Sequence, residues 1–111
     1  MFARDGCRKI MMGDVLVESL EETARMLREQ TPDISVELKH LDVGNEDSVR
    51  EFYAAAVAKF GRIDFAANVA GAGAKATPIH LTPDGVFDKM YTVNQRGVSP
   101  FTHRVAARTD R

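Results

Sequence analysis

The segment that constrains this chain most is the joint between a helix and a strand at residues 49–71. Val49, Phe52, Tyr53, Ala56, Val57 and Phe60 recur at i, i+3, i+4, i+7, i+8 and i+11, which puts all six on one face of an α-helix. Gly61 stands at the position where a left-handed residue ends a helix at little steric cost. Two residues later the pattern becomes an almost continuous apolar run over residues 63–70. Such a run suits a strand covered on both faces, as in a parallel sheet flanked by helices. It leads into a glycine-containing loop at residues 71–76, so the chain is restricted to α/β architectures.

The same alternation of strand and helix extends upstream. Residues 9–12 form a short apolar run that stops at Gly13-Asp14, which predicts a buried strand. Val17, Leu20, Ala24 and Leu27 then recur at helical spacing within residues 15–30. Thr31-Pro32-Asp33 ends that helix, because a residue before proline is biased away from the α region. Ile34, Val36, Leu38 and Leu41 alternate with polar residues and predict a second strand over residues 34–43. Asn45 is placed to cap the long helix that follows. Thr82-Pro83 predicts, as cap and first residue, a last helix through Asp88 and Met90. The reading is a β-α-β-α-β-α order, a partial Rossmann-type doubly wound parallel sheet. Three strands cover both their faces poorly, so an incomplete core is expected.

Composition narrows the function classes. With 15 Lys and Arg against 16 Asp and Glu the net charge is −1, which argues against a nucleic-acid partner. No stretch approaches the roughly 20 apolar residues that span a bilayer, so no membrane partner and a cytoplasmic location are expected. Cys7 is the single cysteine and reads as a small residue near a strand. His40, His80 and His103 lack the spacing of metal ligands, and no metal site is expected. Glu18, Glu21 and Glu22 read as a solvated helix face, with Glu21 and Arg25 spaced as an i,i+4 pair.

A few positions carry chemistry. Asp14, at a strand end, can accept hydrogen bonds from ribose hydroxyls and repel a 2′-phosphate; equally, it suits a loop carboxylate at a helix start. Asp42 can accept from an adenine amino group while the Val43 backbone frames the ring, or it is a turn residue ahead of Asn45. Asn68 can tie strands together, and Ala70 and Gly71 leave room for a ribose close to the backbone. Asn94 within a helix is mildly unfavourable, and it can hold a water or pair with a backbone carbonyl. Gly97 nearby permits close packing or a kink.

Taken in order, Gly13-Asp14 after a strand, Leu41-Asp42-Val43, Phe60-Gly61-Arg62-Ile63-Asp64, Asn68-Val69-Ala70-Gly71 and Val93-Asn94-Gln95-Arg96-Gly97 resemble the short-chain dehydrogenase/reductase family across residues 2–98. The resemblance implies a Rossmann-type domain and hydride transfer between a nicotinamide cofactor and an alcohol or ketone. It assigns Asp14 to NAD rather than NADP, Asp42 and Val43 to the adenine pocket, and Asn68, Ala70 and Gly71 to the cofactor cleft. Asn94 is similar to the asparagine that completes the family's catalytic tetrad through a bound water. Val69 departs from the family motif, which has a second asparagine there.

Other departures lie toward the ends. The 111 residues contain no glycine-rich pyrophosphate loop ahead of residue 9, and Gly71-Ala72-Gly73 follows the wrong strand to replace it. No Tyr-x-x-x-Lys pair is present, since Tyr53 precedes Val57 by four and Tyr91 precedes Gln95 by four; both tyrosines read as packed in or beside the core. Ser99-Pro100 interrupts the family's helix, and residues 99–111 read as an atypical tail. The expectation is a dehydrogenase fragment, from a truncated or mis-spliced product, that does not turn over alone, with a homo-oligomer allowed. Two alternatives stay open: an interaction module pairing with a full-length relative through an unfinished sheet edge, and an unrelated flavodoxin-like binder.

Overall fold

The computed structural model describes residues 1–74 and 76–97. Lys75, Val98, His103, the Ser99-Pro100 interruption and the expected tail at 99–111 lie outside the described residues.

β1 (Lys9–Asp14) and β2 (Ser35–His40) pair in parallel, from Lys9 opposite Ser35 to Asp14 opposite His40. α1 (Val17–Gln30) connects them, and α2 (Glu46–Phe60) follows β2. Side chains alternate across a pleated strand, and the packing follows that alternation. Ile10, Met12, Val36 and Leu38 meet Ala24 and Leu27 of α1, together with Ala3 and Ile34. Met11 and Leu41 meet Val49 and Phe52 of α2 on the other side. One helix therefore covers each face of the sheet, which is the doubly wound arrangement.

Local chemistry sets the boundaries. The Asp14 carboxylate accepts from the Leu16 N–H at 2.9 Å, and this turn delays α1 to Val17, two residues past the expected start. β2 stops at His40, short of the expected residue 43, because the chain turns once Leu41 N–H has donated to the Asp14 carbonyl at 3.0 Å. Asn45 caps α2 as read from sequence, its Oδ1 accepting from Ser48 N–H at 3.1 Å. Gly61 ends α2 at φ +84°, a conformation that side chains with a Cβ resist.

Residues 63–70 correct the sequence reading. They form no strand, and Phe65 and Val69 are each 91% exposed. The physical reason is topological. A right-handed crossover through α2, on the face opposite α1, returns the chain to the β1 side of the sheet. In the doubly wound order 3-2-1-4, one strand separates that position from the strand matching β1. Among the described residues no segment fills it, so residues 63–70 have no ladder to join. An apolar sequence alone does not satisfy backbone N–H and C=O groups.

Further on, a 3₁₀ turn (Ile79–Leu81) precedes α3 (Asp84–Tyr91), which runs into a π-helical segment (Thr92–Arg96). Thr82 does not cap α3. Its hydroxyl donates to the Pro78 carbonyl at 3.2 Å, inside the preceding turn, and Pro83 takes the cap position instead. Tyr53 is buried as expected, whereas Tyr91 is 60% exposed, because α3 packs on no described element but its own π-helical continuation. Arg25 pairs with Glu29 at 2.8 Å and Glu22 at 3.9 Å rather than with Glu21.

Candidate functional site

Parallel α/β sheets bind ligands beyond the carboxyl ends of their strands, and the two carboxylates singled out from sequence stand there. Asp14 is the last residue of β1 and half-buried. Its Oδ1 is engaged by Leu16 N–H. Asp42, also half-buried, lies two residues beyond β2. Its Oδ1 accepts from Gly44 N–H at 2.9 Å, and its own N–H donates to Ser48 Oγ at 3.0 Å. Each carboxylate thus braces the loop after its strand with one oxygen. Neither second oxygen accepts a hydrogen bond from the described residues. Parallel register keeps the two strand ends side by side.

A second group forms around Asn94, in the π-helical segment. Its Oδ1 accepts from Ala72 N–H at 2.6 Å and its Nδ2 donates to the Ala72 carbonyl at 2.9 Å. The side-chain amide thereby pairs with one residue of backbone as a neighbouring strand would, and it holds the loop that begins at Gly71. π-helical turns recur at functional sites in proteins generally. Here the wider turn closes through Gly97 N–H to the Thr92 carbonyl at 2.8 Å.

Gly97 joins the two groups. It is buried, and a Cβ built on it would lie 2.7 Å from the Val43 carbonyl oxygen and 2.8 Å from that of Val93. Backbone atoms cannot yield as a flexible side chain does, so only glycine allows this approach. The loop bearing Asp42 and Val43 therefore sits directly on the segment bearing Asn94.

The structure accordingly brings Asp14, Asp42 and Val43 to the carboxyl end of the sheet and ties Gly71 and Asn94 to them through Ala72 and Gly97. Asn68 and Ala70 are exposed on the irregular run, so Asn68 is not the buried strand-bridging residue its sequence position suggested. Ala72 escaped the sequence reading because its contribution is purely backbone. Close packing at Gly97 was legible, but its partner was not. His40, His80 and Cys7 are exposed. Among the described residues no three His, Cys, Asp or Glu side chains converge as metal ligands do, and no helix is long and apolar enough to cross a membrane.

Known proteins resemble this chain in sequence and in fold. The family model described as short chain dehydrogenase matches residues 1–110. Levodione reductase of Leifsonia aquatica is 36% identical over 90 residues, which is 81% of this chain and 34% of that protein. The solved 3-ketoacyl-(acyl-carrier-protein) reductase from Brucella melitensis, complexed with NADH, superimposes with a TM-score of 0.80 at 28% identity, over 94% of this chain and 40% of that one. An alcohol dehydrogenase from the archaeon Thermococcus sibiricus, complexed with 5-hydroxy-NADP, gives 0.79 at 31% identity, over 89% and 41%. The chain thus spans 34% to 40% of the length of curated relatives it matches.

Proposed function

Since this chain belongs to the short-chain dehydrogenase family, which removes the flavodoxin-like alternative, we propose that it is the adenosine-binding and Asn-bearing part of a cytoplasmic NAD-dependent oxidoreductase acting on an alcohol or ketone. The observation that carries this reading is the pair of half-buried carboxylates at the carboxyl ends of adjacent parallel strands. Two acceptor groups there suit a ligand rich in hydroxyl and amino donors, and they oppose one that adds negative charge at the same place. Asp14 holds the ribose hydroxyls with its second oxygen and disfavours a 2′-phosphate, hence NAD over NADP. Asp42 accepts from the adenine amino group, and the Val43 backbone frames the ring. Ala70 and Gly71 line the cleft.

The nicotinamide cofactor, when bound, supplies the hydride chemistry. This chain's part in that chemistry is placement. Asn94 holds the Gly71 loop near the carboxyl end of the sheet through Ala72. Its amide still has one Oδ1 lone pair and one Nδ2 hydrogen, enough to position a water for a proton relay. The 111 residues contain no Tyr-x-x-x-Lys pair, so no turnover is expected from them alone.

NADH fluorescence titration tests the reading. NADH should bind more tightly than NADPH, and Asp14→Ala should reduce that preference by about tenfold, the scale of a lost hydrogen bond to a charged group. Equal binding of the two cofactors by the unaltered chain would remove Asp14 from the site.

A second reading has one observation in its favour. Among the described residues β1 pairs with β2 alone, and an unpaired edge is a template for another chain. A non-catalytic module pairing with a full-length relative would co-purify with that relative and leave its turnover unchanged. A chain that elutes alone when mixed with the relative would exclude this.

A further inference from the structure

The two outer edges of the β1–β2 ladder differ. Ser35 N–H donates to the Arg8 carbonyl at 2.8 Å, and Leu41 N–H donates to the Asp14 carbonyl at 3.0 Å. With the register fixed, strand alternation aims the backbone groups of Arg8, Ile10, Met12 and Asp14 at β2. Those of Lys9, Met11 and Gly13 point away from it. Among the described residues only the Cys7 thiol, 3.4 Å from the Lys9 carbonyl, meets these outward groups.

The outer edge of β2 is guarded. Its outward Val36 carbonyl accepts from the Arg28 guanidinium at 3.2 Å. Glu37 and Lys39 add charges along the strand, and Glu37 pairs with Lys59 at 2.9 Å. Charges and covering side chains are how natural sheets blunt an edge. β1 has neither between its ends. Ile10, Met11, Met12 and Gly13 are uncharged and only half-buried, although a helix covers each face of the sheet.

This open edge matches itself. When two copies of β1 lie antiparallel about a two-fold axis at Met11, outward groups face outward groups. Met11 opposes Met11 and Lys9 opposes Gly13, and each such pair exchanges both its N–H···O bonds. At the alternate positions Ile10 meets Met12, and Arg8 meets Asp14 of the other copy, a favourable cross-strand charge pair. Arg8 engages Asp33 through Nε and the Ala3 carbonyl through Nη1, which leaves Nη2 for this contact. A shift of one residue sets outward groups against inward ones. A shift of two sets Asp14 against Ile10 or Arg8 against Met12 and loses both charge pairs.

We propose that β1 is a self-pairing edge whose occupant is a second copy of this chain, giving a four-stranded sheet in the order β2-β1-β1-β2. The second copy takes the slot beside β1 that no described segment fills, and the charge pairs fix its register. This goes beyond the cofactor reading and does not rest on it. The Asp14 oxygen not engaged by Leu16 N–H serves Arg8 of the second copy, so pairing and ribose binding at Asp14 exclude one another.

Sedimentation equilibrium of the 111-residue chain tests this at about 0.5 mM, a concentration that populates weak complexes with small interfaces. The mass should approach that of a dimer. Met11→Pro should return it to that of a monomer, because proline at an outward edge position leaves the β1–β2 bonds in place. Arg8→Glu and Asp14→Lys, each alone, set like charges opposite one another at both ends and should weaken pairing about tenfold. Mixed together, the two variants set opposite charges at both ends, and the mixture should pair as the unaltered chain does. That recovery also shows that both variants fold. A monomeric unaltered chain, a dimer that survives Met11→Pro, or a mixture that pairs no more tightly than its components overturns the proposal. A chain that is monomeric by itself yet sediments with a full-length relative gives the edge to that relative and overturns it as well.

Discussion

Residues 9–60 and residues 61–97 obey the same apolar patterning and end in opposite states. In the first region two helices close over a two-stranded parallel ladder, and Val49 is wholly buried. In the second, Phe65 and Val69 are almost wholly exposed, and among the described residues the chain is held by the Asn94–Ala72 pair and the Gly97–Val43 approach. The difference lies in where each element finds its hydrogen bonds. α2 satisfies its backbone internally and needs only a surface on which to lay its apolar stripe. A strand needs a neighbour before its backbone is satisfied at all, and residues 63–70 have none among the described residues.

This contrast can be broken or sharpened by substitution. The largest effect belongs to Val49→Ala, which empties a fully buried site against Met11, Leu41 and Phe52. It should lower stability by about 2 kcal/mol in urea unfolding, from lost transfer energy plus a cavity. A loss below about 0.5 kcal/mol would mean that the α2 face of the sheet is not a closed core.

Next in size is Asn94→Ala, which removes both bonds to Ala72. At about 1 kcal/mol for exposed bonds, it should speed amide exchange at Ala72 roughly fivefold while leaving β1 protection unchanged. Exchange that rises equally in both places would show that the two regions unfold as one unit.

The smallest effect is expected for Phe65→Ala. A side chain that is 91% exposed should matter by no more than about 0.5 kcal/mol. A cost approaching that of Val49→Ala would show that residues 63–70 pack as a strand after all, and would erase the distinction between the regions.

Much of the fold was legible in advance because its signals are local. The periodic stripe on α2, the Asn45 cap and the Gly61 stop each need only a few neighbouring residues, and each stands in the structure as read. The errors fall where a distant partner decides. The run at 63–70 has strand composition without a strand's neighbour among the described residues. Tyr91 was left exposed because α3 packs on no other described element; Thr82 is the local exception, its hydroxyl turned back to Pro78 four residues earlier instead of capping α3. The candidate site divides in the same way. Asp14, Asp42 and Asn94 stood out as polar residues in telling positions, while Ala72 offered no side-chain signal.

What the sequence alone determined was the identity of the helices and of the first two strands, and the family, because periodicity, caps and ordered motifs are properties of residues along the chain. Tertiary structure decided which residues meet: the alignment of Asp14 with the end of β2, the two-point grip of Asn94 on Ala72, and the close passage of Gly97 over Val43. Those contacts join residues 22 or more positions apart. They depend on sheet register and on backbone atoms, which are the same at every position and leave no mark in the letters of a sequence.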